Sequence, residues 1–267
     1  MPLLHIAIVA LIQGITEFLP VSSSGHLILL PNLTGLDDQG QAIDVAVHVG
    51  TLGAVMLYFR QDVGRAVAGL GEVLSRRLDS PDARLALGLI VATIPVVIAG
   101  LLMKVTGLDD AVRSIAVVGW ATLVFGLVLF WADRSGGLQR DAQHWSLKHA
   151  FIMGLWQILA LIPGTSRSGI TITGARQLGY NRHDAARLAM LMSIPTIVAS
   201  GSLLTVEVVA DMNAGLARDA AIGAAFAFVA ALGALHFMMR LLRSISFTPY
   251  VIYRVILGVV LLVIAYS

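Results

Sequence analysis

The chain has no cysteine among its 267 residues, and charged side chains make up only 13% of it. Without cysteine there can be no disulfide, no thiolate nucleophile and no cysteine-ligated metal. Soluble domains carry charge on about a quarter of their residues, whereas this chain is 57% hydrophobic. The composition therefore predicts a polytopic membrane protein and leaves little room for a soluble domain.

The sequence also lacks a Walker loop, a glycine-rich dinucleotide motif and a basic domain. These absences exclude the usual modules that bind ATP, dinucleotides and nucleic acid. The net charge of +2 says little by itself. The positions of the charged residues along the chain are more informative.

Six stretches of about 19 apolar residues are long enough to cross a bilayer as helices. The first carries Asp44 and His48, and the last carries Arg254. The six predicted spans are Ile43 to Phe59, Leu85 to Met103, Ser114 to Ala132, Leu188 to Val206, Ala220 to Met239 and Thr248 to Tyr266.

Two further apolar regions, Leu3 to Pro31 and His149 to Leu178, are each interrupted in the middle by a polar motif. The halves on either side contain roughly 10 to 17 residues, too few to cross the hydrocarbon core. Each broken region is therefore predicted to be a re-entrant helix–loop–helix, which enters and leaves the membrane on one side.

The distribution of lysine and arginine predicts the orientation, because basic loops lie on the cytoplasmic side. The second broken region has basic loops on both sides, so it should enter from the cytoplasm. The first should then enter from the outer side, with both termini outside. The basic positions are Arg60, Arg65, Arg76, Arg77, Arg84, Arg134, Arg140, Lys148, Arg176, Arg182, Arg187, Arg240, Arg243 and Arg254.

The predicted order of elements repeats along the chain. Each half contains one broken region followed by three spans, and Asp44 after the first motif corresponds to Asp184 after the second. Because three is odd, the halves would have opposite orientations, with a site at their interface near the midplane. We therefore predict an all-α integral membrane domain over residues 1–267, with inverted repeats at 1–132 and 148–267.

The first polar motif is QGITEFLPVSSSGH, at residues 13–26. Gln13 and Glu17 are four residues apart and share a helix face. A carboxylate together with substrate phosphates is the usual way in which Mg²⁺ is held. Three consecutive serines and His26 add hydroxyl nucleophiles and a nearby base. Glu17 could also be a structural partner of Arg167, and any single serine could cap a helix or serve close packing.

The second polar motif is PGTSRSGIT, at residues 163–171. A Ser-Arg-Ser sequence between glycines, opening a short helix, offers backbone N–H groups, hydroxyls and a guanidinium. Helix N-termini bind anions, and arginine matches phosphate oxygens. Ionisable groups at membrane depth mark functional sites by default. The motif therefore indicates phosphate binding, although Arg167 could instead snorkel or pair with a carboxylate.

These residues resemble the two signature motifs of the undecaprenyl-diphosphate phosphatases, the bacitracin-resistance BacA/UppP family. The resemblance covers the whole chain, including DVAVHVGT at 44–51 and SFTPYVIYR at 246–254. It implies a bacterial plasma-membrane hydrolase that converts undecaprenyl diphosphate to the monophosphate and inorganic phosphate. This reaction recycles the lipid carrier for cell-wall synthesis and confers bacitracin resistance.

The resemblance also implies a divalent cation, Mg²⁺ or Ca²⁺, and an active site open to the outer, periplasmic face. Carried onto this sequence, Glu17 is the essential acid and metal ligand, and Arg167 is the diphosphate clamp. Ser23 is the favoured nucleophile, with His26 as its catalytic partner. Substrate contacts are expected from Ser22, Ser24, Gly25, Gly164, Ser166, Ser168 and Thr171, with support from Gln13, Asp44 and His48.

Several alternatives stay open at this point. Position 13 is glutamine where some family members have glutamate, which weakens a metal site with two carboxylates. Either Ser23 or a water molecule could attack the phosphorus. Inverted repeats are also typical of transporters, so a lipid-phosphate flippase could use the same site. Neither homodimerisation nor selectivity for prenyl chain length can be decided from these residues.

Overall fold

The computed structural model describes residues 1–34, 39–210 and 213–267. Within these ranges the chain is helical, and its only extended pairing is a bridge between Arg140 and Tyr180. The α-helices are α1 Leu3–Thr16, α2 Ser23–Thr34, α3 Gln41–Tyr58, α4 Arg60–Leu74, α5 Pro81–Thr106, α6 Leu108–Ala111, α7 Ile115–Ser135, α8 Leu147–Ile158, α9 Arg167–Gln177, α10 Arg182–Ala210, α11 Ala214–Leu241 and α12 Thr248–Tyr266. Two short 3₁₀ helices cover Ala142–His144 and Leu159–Leu161.

Six of the described helices, α3, α5, α7, α10, α11 and α12, are long and apolar enough to cross a membrane. They coincide with the six spans predicted from the sequence. An all-helical architecture with six candidate membrane spans is thereby confirmed for the described part of the chain.

Each broken region consists of two short helices joined by a non-helical stretch. The first contains α1 and α2, with a turn between Glu17 and Ser22. The second contains α8 and α9, with a 3₁₀ turn and a loop between them. None of these four helices reaches the length of a span, as the polar motifs predict. The re-entrant path through a membrane stays a prediction.

Local sequence signals fix where several helices begin and end. Ser80 and Ser114 cap α5 and α7, because their hydroxyls accept hydrogen bonds from the amides of Ala83 and Val117. Gly107 ends α5 in the left-handed region, with φ of 71°. That conformation is readily available to glycine and closes the last turn of the helix.

The first helix of each broken region packs against a span from the other half of the chain. α1 lies against α11, and α8 lies against α5. Both contacts require glycine. A Cβ atom on Gly14 would lie 2.7 Å from the carbonyl oxygen of Ala227, and one on Gly154 would lie 2.5 Å from that of Ala92. Small residues thus allow the backbones to approach closely.

The spans then enclose the two short second helices. α7 packs against α12, and α3 packs against α10. α9 contacts α7, α8 and α10, while α2 contacts α1, α7 and α12. The loops that precede α2 and α9 therefore meet inside the bundle rather than on its surface.

The buried carboxylate of Asp133 connects the ends of several helices. Asp133 in α7 accepts hydrogen bonds from Arg176 at 3.0 Å and Arg182 at 2.8 Å. Its carboxylate also accepts the amide of Phe247, which precedes α12. Each buried charge in this network has a partner, as burial requires. Nearby, between α9 and α10, burial raises the pKa of the Tyr180 hydroxyl.

α4 was not predicted from the sequence, which indicated only a basic loop between two spans. The loop instead forms a helix of 15 residues. It follows α3 directly and packs against α5.

Candidate active site

The first motif forms a tight turn at the end of α1. Glu17 closes the last turn of the helix, where its amide donates to the carbonyl of Gln13. Phe18 is fully buried and anchors the turn in the core. Ser22 adopts φ of 74°, a conformation that is uncommon for a residue other than glycine. α2 then begins at Ser23, so its N-terminus lies at the motif.

The second motif forms an irregular loop before α9. Gly164 and Ser166 have φ of 94° and 69°. The Ser166 hydroxyl accepts the amide of Gly169 and so caps α9, which begins at Arg167. Backbone conformations of this kind persist where the surrounding structure holds them, and they cluster at functional sites.

Direct contacts join the two motifs across 150 residues of sequence. Nη2 of Arg167 donates to Oε1 of Glu17 at 2.6 Å. The amide of Gly164 donates to the Ser24 hydroxyl at 3.0 Å. The Ser168 hydroxyl donates to the carbonyl of Leu19 at 2.9 Å. The clusters therefore form one polar centre, as the sequence predicted.

Glu17 lies at the middle of this centre, with its side chain 8% exposed. Besides Arg167, it accepts hydrogen bonds from Nε2 of Gln13 at 2.7 Å and from the Ser23 hydroxyl at 3.3 Å. Nε2 of His48 lies 3.8 Å from Oε2 of Glu17. One carboxylate thus connects the arginine, a serine hydroxyl and an imidazole.

A cavity of about 200 Å³ opens beside Glu17. Most of its lining comes from the two motifs, and the rest from His48 and the chain before the second loop. The lining residues are Glu17, Ser22, Ser23, Ser24, His48, Ala160, Ile162, Gly164, Ser166 and Arg167. Because α2 and α9 both begin at this cavity, their N-terminal N–H groups favour an anion there.

Four other predicted residues, Gly25, Asp44, Ser168 and Thr171, are not among those that line the cavity. The Ser168 hydroxyl donates to the carbonyl of Leu19 and lies 3.1 Å from the Ser166 hydroxyl, and the Thr171 hydroxyl donates within its own helix to the carbonyl of Arg167. Gly25 faces Leu257 and Thr122. Asp44 lies near the start of α3, where it accepts a hydrogen bond from Gln39 at 2.8 Å.

His26 and His48 differ in their contacts from what the sequence suggested, which was that His26 would be the catalytic partner of Ser23 and His48 would have a supporting role. Nδ1 of His26 donates to the carbonyl of Ser22, so its Nε2 accepts from the Tyr253 hydroxyl at 2.5 Å. The His26 ring also stacks on Tyr253. Nδ1 of His48 donates to the carbonyl of Asp44, which leaves Nε2 directed toward Glu17. His48, predicted in a supporting role, is the histidine that lines the cavity.

Arg254 in α12 contacts the second motif, although the sequence motifs did not indicate it as a site residue. It is fully buried, and within the described residues no carboxylate pairs with it. Its guanidinium instead donates to backbone carbonyls of the second motif, at Gly164 (3.1 Å) and Thr165 (2.9 Å), and to Thr122 in α7 (3.1 Å). An arginine inside an otherwise apolar span was the signal that could have revealed it.

The residues around Glu17 offer oxygen ligands of the kind that Mg²⁺ and Ca²⁺ prefer. Oε1 of Gln13 is buried and has no hydrogen-bond partner in the described part of the chain. The described residues contain no group of three or more acidic, histidine or cysteine side chains arranged for a metal. Any cation here would therefore depend on substrate oxygens as well as on Glu17 and Gln13.

Comparison with known proteins gives consistent relatives over the full chain. Residues 6–260 match the family described as bacitracin resistance protein BacA. The undecaprenyl-diphosphatase of Dinoroseobacter shibae is 68% identical over 267 residues, and that of Ruegeria pomeroyi is 69% identical over 267, each alignment covering 100% of both chains. Undecaprenyl-diphosphatase 2 of Stutzerimonas stutzeri is 47% identical over 266 residues, 98% of each chain.

Proposed function

The chain belongs to the bacitracin resistance protein BacA family, and on that premise we propose that it hydrolyses undecaprenyl diphosphate to undecaprenyl phosphate and inorganic phosphate. The observation that carries the proposal is the contact of Arg167 and Ser23 with the same carboxylate, Glu17, beside one cavity. A guanidinium that would bind phosphate and a hydroxyl that would act as the nucleophile are thereby both hydrogen-bonded to one carboxylate.

Arg167 and the two helix N-termini would bind the diphosphate. The guanidinium offers several fixed donors for phosphate oxygens, and its bond to Glu17 uses only part of them. Ser166 and the amides at the start of α9 would add further donors. In phosphoryl transfer, positioning and charge stabilisation supply most of the catalysis, which suits a cavity built in this way.

Ser23 would be the nucleophile. Its hydroxyl oxygen attacks the terminal phosphorus, a Ser–phosphate bond forms, and the bond to the bridging oxygen breaks to release undecaprenyl phosphate. The hydroxyl proton passes to Glu17, the carboxylate that Ser23 already contacts. Water then cleaves the phosphoserine and releases inorganic phosphate. His26 stays a predicted proton-transfer partner, and His48 is the imidazole nearer to Glu17.

A divalent cation remains part of the proposal. The Glu17 carboxylate and the unpartnered amide oxygen of Gln13 would hold it. Such a cation would neutralise phosphate charge while the diphosphate is bound. Glutamine at position 13 supplies an oxygen ligand without a second negative charge.

The inverted repeat is supported by reciprocal packing. α1 packs on α11 through Gly14, and α8 packs on α5 through Gly154. Each broken region thus uses a glycine in its first helix to contact the second span of the predicted opposite repeat. We propose that both broken regions are re-entrant, that the site opens to the periplasmic face of the bacterial inner membrane, and that both termini lie outside.

The experiment that tests this function uses purified protein with undecaprenyl diphosphate in detergent. We expect inorganic phosphate and undecaprenyl phosphate in equal amounts, with release that stops on addition of a chelator. Activity should fall with shorter prenyl diphosphates if the tail contributes to binding. Movement of labelled lipid across proteoliposomes without phosphate release would contradict hydrolysis and support transport.

We predict that Ser23→Ala lowers the rate of phosphate release by about a thousandfold or more, because the covalent route loses its nucleophile. Ser193→Ala is the matched control, since Ser193 is fully buried in α10 and its hydroxyl, within the described residues, bonds only to the carbonyl of Met190. Rapid acid quenching with labelled substrate should trap label on the wild-type chain. A Ser23→Ala rate close to wild type would exclude the covalent route.

A further inference from the structure

α4 connects the N-terminal parts of two spans, α5 and α10. Asp62 near its start binds Arg187 in the second turn of α10, with a distance of 2.9 Å from Nε to Oδ2. Farther along, Gly69 packs directly against the carbonyl of Asp82 in the first turn of α5. These two contacts hold α4 against the N-terminal parts of α10 and α5.

The residues of α4 divide into three faces. The face toward the protein carries Gly69 and Asp62, both buried. Val67, Leu70 and Leu74 recur at spacings of three and four, so they share a second face, and they are exposed by 62%, 43% and 86%. Gln61, Arg65 and Glu72 lie on a third face and are polar.

Three exposed arginines follow α4 along the chain. Arg65 pairs with Asp82 at 2.7 Å. In contrast, Arg76, Arg77 and Arg84 are exposed, and among the described residues none of them forms an ion pair. An apolar stripe beside free basic side chains is typical of a helix that lies in a membrane interface.

We propose that α4 is an interfacial helix whose apolar face enters the headgroup region and whose flanking arginines bind anionic phospholipid. The acyl boundary would cover Val67, Leu70 and Leu74. Arg76, Arg77 and Arg84 would contact lipid phosphates from just beyond the end of the helix. Charge complementarity selects the partner, because these arginines have no carboxylate partner among the residues that the structure describes. This proposal does not depend on the proposed function.

The position of the helix can be tested with single cysteines, because the native chain contains none. Leu70→Cys and Leu74→Cys would be spin-labelled in the full-length protein in phosphatidylcholine nanodiscs. Gln61→Cys is the matched control on the polar face of the same helix. We expect oxygen to reach the first two labels better than a water-soluble nickel chelate, and the reverse for Gln61→Cys. Equal accessibility at all three positions would overturn the interfacial placement.

The lipid preference can be tested by exchanging phosphatidylglycerol into the same nanodiscs. Arg76→Gln combined with Arg77→Gln should weaken phosphatidylglycerol binding roughly fivefold for each arginine removed, and added salt should reduce the difference. Arg218→Gln is the control, since Arg218 is an exposed arginine in α11. Unchanged phosphatidylglycerol binding in the double variant, or an equal loss in the control, would overturn the electrostatic part of the proposal.

Discussion

Replacing Arg167 with alanine should lower kcat/KM for phosphate release by a factor of about a hundred to a thousand, the usual effect of removing a donor that stabilises developing charge. Two consequences combine in this variant. The diphosphate loses its guanidinium, and Glu17 loses the partner that lies 2.6 Å away. Since the Glu17 side chain is only 8% exposed, its charge would then lack compensation.

The two consequences can be separated experimentally. Arg167→Lys keeps a positive charge beside Glu17 but lacks the planar fork that matches phosphate oxygens. It should therefore retain thermal stability better than alanine while still losing much of the rate. Arg134→Ala is the matched control, because Arg134 lies over Phe130 at the end of α7 and takes no part in the cavity. Near-normal turnover in Arg167→Ala would show that the site has been wrongly assigned.

Replacing Arg254 with methionine should lower kcat by about a hundredfold, the size of effect expected when a reacting geometry shifts by about an ångström. Arg254 lies behind the second motif and holds the carbonyls of Gly164 and Thr165. Those carbonyls lie between the φ torsions of Gly164 and Ser166, which are both positive in this loop. We infer that Arg254 is a positioning residue that keeps the amides of the loop directed toward the phosphate.

Arg176 provides a close control for this effect. Both arginines are fully buried, but Arg176 pairs with Asp133 and binds carbonyls at Gly136 and Gly137, away from the cavity. Both methionine variants should therefore melt at lower temperature. Below both melting transitions, only Arg254→Met should show a reduced kcat, with Arg254→Lys recovering part of it. Equal losses of kcat in the two variants would show that Arg254 contributes to the stability of the protein and not to the positioning of the loop.

The architecture could largely be predicted from the sequence, because the bilayer sets a length for every spanning helix. All six predicted spans are found, and both broken regions divide where their polar motifs fall. α4 was not predicted because its 15 residues are too few for a span and include several charged side chains. Its apolar residues recur at the helical period, but over only this short stretch.

The candidate site could be predicted less completely. Spacing placed Gln13 beside Glu17, and the motifs suggested that Glu17 and Arg167 meet. Spacing alone did not show which histidine lies nearer to Glu17, since His26 is two residues after the last serine while His48 reaches Glu17 from another helix. Arg254 required knowledge of how α12 packs against the loop, which depends on tertiary contacts.

We propose that Glu17 and Arg167, from opposite halves of the chain, act as one site on one diphosphate. A double-mutant cycle with Glu17→Gln, Arg167→Gln and the combined variant tests it directly through kcat/KM for phosphate release. Residues that act as a unit give strongly non-additive losses. We predict that the combined variant is about as slow as the slower single variant. Losses that simply multiply would show that the two residues act independently and would contradict a single shared site.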